Sequence, residues 1–368
     1  MAVYKLYPTK DATIYSFFPA LNTGTDEILE ATTNNTLLFS GEGLTSRFLI
    51  QFSTNEITDV ITNKISGSIW SSSLKLFLAD ATGLNEDTTL KIFPISSSWN
   101  MGTGKYLSQP QIENGVSWAY RSTSGSNSWI SSSFPTNVTA SYSNVVGGGT
   151  WYFNNTSSQI LSYSDSKDIN ADVTNIVNVW KSGSIVNNGF IIKQDTEFVS
   201  SSVDSTSLKF FSIDTHTIYP PCLEFKWRDY SFNTGSTIFN TLSLTPIVST
   251  ISENPGTFNL DSINNFRINS RPKYPTRTFS TSSVYTVNYL LPTSSYYAIK
   301  DLDTNEFVVD FDSQFTQISA DSNGNYFKLY MNGLEPERNY KILIKTIING
   351  NTLILDDNYY FKIINGQN

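Results

Sequence analysis

The 368-residue chain is poor in the side chains that most often carry chemistry. Cys222 is its only cysteine and His216 its only histidine. A disulfide framework within the chain is thereby excluded, as is a zinc site of the usual cysteine and histidine type. A catalytic triad would have to pass through His216, and no GxSxG nucleophile elbow accompanies it. Charged residues make up only 15% of the chain and sum to a net charge of −8. A field of that sign repels nucleic acid rather than gathering it. The opening stretch MAVYKLYPTKDATIYSFFPALNTG lacks an apolar run long enough for a signal-peptide core, and no window elsewhere approaches a membrane span. The expectation is a protein made in a cytoplasm, with no nucleic-acid partner, no membrane partner and no cofactor. The sequons at Asn137, Asn154 and Asn155 read as products of an Asn, Ser and Thr-rich composition.

Aromatic residues, at 14%, are abundant. Short apolar or alternating runs recur along the chain: ATIYSF, RFLIQF, SLKLFLAD, LKIFPI, GFIIK, LKFFSI and CLEFKW. Each is bounded by Ser, Asn, Gly or Pro, the strand-and-turn pattern of a β-sandwich. One stretch, DVTNIVNVWKSGSIVNNGFIIK, departs from it. Val173, Ile176, Val177 and Trp180 fall at i, i+3, i+4 and i+7, which predicts a short helix with one apolar face. Asp172 can cap its start and Gly183 its end, and Gly189 leads into a strand. Asn323-Gly324 and Asn349-Gly350 are expected to be two-residue hairpin loops, because both residue types tolerate positive φ. The organisation expected is an amino-terminal sandwich over residues 1–230, an extended linker over 231–275, and a smaller sandwich over 276–368.

Few candidate sites arise. Trp99, Trp118, Trp129 and Trp151, with Tyr106 and Tyr120, occupy an irregular stretch that ends in Gly147 to Gly149. Large aromatics on loops suit a protein interface or a sugar-stacking platform, unless they fold back onto their own sandwich. Arg271 and Tyr274, in the Pro-flanked segment RINSRPKYP, are further interface candidates. Asp80, Glu86 and Asp87 share one stretch and are weak calcium candidates; no other metal ligands are expected. DSNGN places Asp321, Asn323 and Asn325 at alternate positions, but Tyr326 and Asn332 stand where a calcium loop needs glycine and glutamate, so a hairpin turn is the better reading.

Three resemblances add to these readings. KDATIYS with ALNTGTDEILE, then RFLIQFS, SSLKLFLAD, LKIFPISSSW, the helical stretch, and LKFFSIDTHTIYPPCLEFKW resemble, in order, DNRLRE-type domains, β-sandwiches related to carbohydrate-binding modules. The resemblance implies a jelly-roll-like sandwich plugged at one end by the helix of Asp172 and Trp180. It also puts His216 in a surface loop before the last strand. GLEPERNYKILIK resembles the immunoglobulin and fibronectin type III pattern, with Leu334, Pro336 and Tyr340 forming a tyrosine corner. FRINSRPKYPTRTFSTSSVYTVNYLLP with VVDFD and DSNGNYFKLYMNGLEPERNYKILIKT, together with the opening MAVYKLYPTKDATIYS, resemble virion structural proteins of contractile-tailed phages of marine cyanobacteria. That implies a non-enzymatic, all-β structural protein, made in a host cytoplasm and located in the virion. It would be repeated by particle symmetry as a homo-oligomer among other virion proteins. The alternative it implies is a carbohydrate-binding module that holds a surface glycan.

Overall fold

The computed structural model describes residues 2–34, 44–65, 67, 69–84, 87–129, 138–140, 147–164, 168–195, 197, 205–275 and 289–365. The protein is all-β and of the sandwich class. It divides into two compact units, one of residues Leu6–Thr62 and Ser71–Glu224, the other of Met1–Lys5, Asn63–Trp70 and Phe225–Asn368.

The first part of the chain supplies β1 (Ala2–Leu6), β2 (Pro8–Tyr15), β3 (Ile28–Asn34), β4 (Leu44–Phe52), α1 (Thr54–Asp59), β5 (Trp70–Leu76), β6 (Leu78–Thr82), β7 (Thr88–Pro94), β8 (Val138–Ala140), β9 (Thr150–Tyr152), β10 (Ser157–Leu161), β11 (Ile169–Asp172), α2 (Thr174–Lys181), β12 (Phe190–Gln194), β13 (Ser205–Phe211) and β14 (Cys222–Trp227). One sheet runs β1-β14-β5-β11 and another β10-β7-β12-β4-β3-β13-β6, with β2 also paired to β4. The central strands β4 and β12 are buried on both faces. Their apolar runs, FLIQF and FIIK, lack the alternation of a strand with one wet side. Across one face, Phe93, Ile191, Leu49 and Ala12 stand side by side on adjacent strands. The tryptophan-rich loops cover that row as a further layer.

Helix α2 has the face its spacing predicts: Val173, Ile176, Val177 and Trp180 are all buried. Asp172 Oδ1 accepts the Thr174 N–H at 2.8 Å, an Asx-type cap just before the first turn. Gly183 follows the helix in the left-handed conformation, at φ +73°. Trp180 packs on Phe190 of β12, with ring centroids 4.6 Å apart. Gly189 is required sterically: at φ +92°, a Cβ there would lie 2.3 Å from the Ile50 carbonyl oxygen.

The rest of the chain forms β15 (Asn240–Thr241), β16 (Ile247–Ser252), β17 (Thr257–Asn259), β18 (Ile263–Pro272), β19 (Tyr289–Leu290), β20 (Ser295–Asp301), β21 (Phe307–Val309), β22 (Ser319–Asp321), β23 (Gly324–Tyr330), β24 (Asn339–Ile348) and β25 (Asn351–Ile364). Sheets β16-β18-β23-β22 and β17-β25-β24-β20-β21 enclose one core. Phe266 and Phe327 from the first sheet meet Phe361 and Tyr297 from the second, at 5.7 and 4.1 Å between ring centroids. The segment 231–275, expected to be an extended linker, instead supplies β15 to β18. Along β16 the buried Ile247, Ser249 and Ile251 alternate with the more exposed Val248, Thr250 and Ser252.

Tyr340 is buried, and its hydroxyl donates to the Glu335 carbonyl at 3.0 Å, the hydrogen bond of a tyrosine corner. Leu334 is buried beside it and Pro336 half-buried. Asn349 (φ +50°) and Gly350 (φ +79°) form the expected hairpin loop. The other hairpin is displaced by one residue. Asp321 pairs with Gly324, so its loop is Ser322-Asn323 and Gly324 opens the strand.

Candidate functional site

The loop tryptophans are not an interface. Trp99, Trp118, Trp129 and Trp151 are buried in one cluster with Ile14, Leu49, Ile95, Val116 and Ile191, and they present no ring face to sugar or subunit. Two of their indole N–H groups have backbone partners: Trp99 donates to Asn188 at 2.9 Å and Trp129 to Ser117 at 3.0 Å. The physical reason is an anchoring residue far away in sequence. Asn22 is buried, and its amide donates to the carbonyls of Met101 (2.6 Å) and Val116 (2.8 Å) while its oxygen accepts from Gly104 N (2.8 Å). One side chain thus clasps the loop against the sheet. Arg47, on β4, lies under the same layer, 4.8 Å from the Trp118 ring and 5.2 Å from that of Trp151. Gly147, at φ +103°, passes so close to the Trp118 carbonyl that a Cβ would fall 2.2 Å from its oxygen.

Tyr106 and Tyr120 differ from the tryptophans. Tyr120 is half-buried, whereas Tyr106 is 42% exposed and belongs to an aromatic patch that sequence reasoning found only in part. At the end of β2 the chain turns, with the Phe18 N–H donating to the Tyr15 carbonyl at 3.2 Å. Two adjacent phenylalanines in that turn cannot both face inward, and Phe17 stays 56% exposed. The pair YSFFP is the signal that could have marked them. Phe18 lies 5.9 Å from the Tyr106 ring, Tyr106 lies 5.0 Å from Tyr15, and Phe17 lies 4.9 Å from Phe18. The next residue, Leu107, is 83% exposed. Phe17, Phe18, Tyr106 and Leu107 are thus exposed apolar side chains at this end of β2, the first three in ring contact.

These rings, with Glu30, Thr32, Leu44, Thr45 and Ser46, line a cleft of about 120 Å³. The Tyr106 N–H donates to Asp26 Oδ2 at 3.0 Å, which fixes the turn carrying that ring. Burial raises the Asp26 carboxyl above its ordinary value, and the charges of Glu30 and Glu27 add to the shift. The Tyr15 hydroxyl is held well above its usual range by burial first, then by Glu30 and Asp26. Its aromatic walls and acidic rim suit binding.

The remaining candidates are dispersed. His216 is 89% exposed, with Nε2 3.8 Å from Glu27 Oε1. Asp80 lies on β6 and Asp87 just before β7, both exposed, and Glu86 is outside the described residues. No group of three potential metal ligands occurs among the described residues. Asp321 instead pairs with Arg267 at 2.6 Å and accepts Asn323 N at 2.8 Å. Arg271 lines a separate cavity of about 350 Å³ with Phe239, Asn269, Ser270 and Tyr289. Tyr274 is exposed beside Lys273; residues 276–288, where the Pro-flanked segment continues, lie outside the described residues. Asp11 is a buried carboxyl raised to about 7, chiefly by burial, with Asp214 adding to the shift and a bond from Ile213 N opposing it.

No protein-family model matches the chain, and no curated protein matches it. Among solved structures, the Parabacteroides merdae β-glucuronidase with glycerol in its active site superposes with a TM-score of 0.16 at 12% identity, over 81% of this chain and 28% of that one. A second structure of that enzyme gives 0.16 and 11%, over 95% and 36%. The apo β-glucuronidase 3 of Bacteroides uniformis gives 0.16 and 9%, over 81% and 27%. This chain thus spans only 27% to 36% of their lengths, and at that TM-score the likeness carries no argument about fold or activity.

Proposed function

We propose that this protein is a non-enzymatic structural component of a tailed phage particle, in the neck, tail, baseplate, fibre attachment or head decoration. It acts through surfaces that neighbouring virion proteins, further copies of itself included, cover on assembly. The observation that carries the reading is the exposed patch of Phe17, Phe18, Tyr106 and Leu107 on hydrogen-bonded turns. Exposed rings held in place cost solvation while the chain is alone and become favourable once a neighbour buries them. The virion assignment itself rests on the resemblance of both chain ends. The carbohydrate-binding alternative, which the amino-terminal resemblance suggests, loses Trp118 and Trp129 as stacking candidates, because both are core residues.

Mass spectrometry of purified particles tests the proposal. The chain should be present at a fixed stoichiometry to the other structural proteins. Its absence from particles that contain all other structural proteins would overturn the reading.

A further inference from the structure

Resting on that reading of the patch as an interface, we propose that the cleft between Tyr15, Phe18, Tyr106 and Glu30 is a socket for one cationic side chain, an arginine or lysine, presented by a partner protein.

Size argues first. At about 120 Å³ the cleft is well below the roughly 300–1,000 Å³ of pockets that enclose whole small-molecule ligands. It suits a single inserted side chain. Its walls come next: the exposed rings of Phe18 and Tyr106 touch each other, Tyr106 also touches the buried Tyr15 ring, and a guanidinium or ammonium over an aromatic face is attracted by the ring quadrupole. The protein already uses this contact inside its own structure, where Arg47 lies 4.8 Å from the Trp118 ring.

Charge complementarity selects the cation. Asp26, Glu27 and Glu30 gather at this edge, and two ammonium groups answer them. Lys105 Nζ stands 3.4 Å from Glu27 Oε1, and Lys209 Nζ stands 3.4 Å from Glu30 Oε1. Both separations exceed the ~2.8 Å of a tight charge-assisted bond. Asp26 accepts the Tyr106 N–H and also feels the Lys105 charge that faces Glu27, so among the described residues three carboxylates share two ammonium groups. The site thus keeps an excess of negative charge, and the mutual repulsion of its carboxylates is relieved by an incoming positive group. Two of the hydroxyls that line the cleft are already engaged. Ser46 Oγ bonds the Glu30 carbonyl at 3.0 Å and the Thr32 N–H at 2.9 Å, while Thr32 Oγ1 bonds Ser207 at 2.9 Å. Those bonds reduce what a sugar could find there, whereas Phe17, Phe18 and Tyr106 are exposed and Glu30 is partly so.

The test uses the full chain and three probes: the peptide acetyl-Gly-Arg-Gly-amide, its counterpart with the neutral isostere citrulline, and a neutral oligosaccharide such as cellotetraose. Backbone amide shifts are followed by NMR. The arginine peptide should shift the amides around residues 15–18, 30–32, 44–46 and 104–107 saturably, and the citrulline peptide should bind about tenfold more weakly. Glu30→Gln should erase most of that difference, and Phe18→Ser should weaken both peptides with the thermal midpoint unchanged. Should Phe18→Ser lower the midpoint, Tyr106→Ser serves for the same comparison. Equal binding of the two peptides overturns the cation assignment, as does saturation by the oligosaccharide alone. Absence of any saturable shift up to about 10 mM arginine peptide, a concentration that detects even very weak binding, also overturns it. Each of these outcomes leaves the particle mass spectrometry untouched, so failure of the socket is distinct from failure of the virion reading.

Discussion

Arg47 and Glu197 form a buried two-pronged ion pair: the Arg47 Nε lies 3.0 and 3.1 Å from the two carboxylate oxygens, Nη2 lies 2.7 Å from one of them, and both side chains are 1% exposed. Lys193 reaches the same carboxylate at 3.1 Å, and Arg47 also donates to the Gly148 carbonyl. The cost of desolvating these charges is offset only while the whole set is present. Arg47→Ala should therefore lower the unfolding free energy by about 3–5 kcal/mol, because it leaves a buried carboxylate short of countercharge. Replacing the pair together, by Arg47→Met with Glu197→Leu, should cost much less. Urea titration followed by tryptophan fluorescence compares the two, and equal losses would show that the charges are not coupled.

The tryptophan layer and the aromatic patch should respond oppositely to truncation. Trp118→Ala opens a cavity and should destabilise the amino-terminal unit by about 3–5 kcal/mol. Phe17→Ser, on the exposed turn, should change stability by no more than about 0.5 kcal/mol while reducing incorporation into particles. Calorimetry paired with particle assembly distinguishes the two. A stable, assembling Trp118→Ala variant would contradict the layer described.

Gly189→Ala should be strongly destabilising, by roughly 3 kcal/mol, because the new Cβ must displace the β4 backbone at Ile50 and adopt positive φ. Gly183→Ala, at a positive φ with open space around it, should cost only about 1 kcal/mol. Chemical denaturation of both variants reads the ranking.

Asp11 gives the stability of the protein a pH dependence of definite sign. Its carboxyl titrates near 7 in the folded chain against an ordinary value of 3.8. Between about 4 and 7 the folded state therefore holds a proton that the unfolded state has lost, and this group makes stability fall as pH rises through that window. The contribution is on the order of a few kcal/mol. Asp11→Asn keeps an acceptor for the Ile213 N–H and removes the titration, so the difference in stability between wild type and variant should change steadily from pH 4 to 7 and level off above. A difference independent of pH would contradict the raised value.

Tyr340→Phe removes one buried hydroxyl and leaves the Glu335 carbonyl without that partner. A loss of about 1 kcal/mol is expected, read as faster amide exchange along Asn339–Ile348. Unchanged exchange there would mean that the corner does not hold the strand.

Local patterns were legible in the sequence wherever a residue's role depends on its close neighbours. Val173 to Trp180 carry a helical face, Asn349-Gly350 a turn, and Tyr340 a corner closed only five residues upstream. The burial of Trp99, Trp118, Trp129 and Trp151 was not legible, because an aromatic on an irregular loop has the same local text whether it turns in or out. Asn22, Arg47 and Glu197 decide that burial from distant positions. A clue did exist in FLIQF and FIIK, whose unbroken apolarity requires cover on both faces of the sheet. In the segment 231–275, proline and serine suggested a linker, yet the alternation in IVSTIS is that of a strand with one wet side.

The clasp of Asn22 on the loop backbone has a further consequence. The turn bearing Tyr106 lies between Gly104 and Val116, two of the points that Asn22 grips, so its position is settled as the chain folds. Whatever docks there meets a face with little conformational freedom left to surrender, and more of the contact energy can go into holding the complex together.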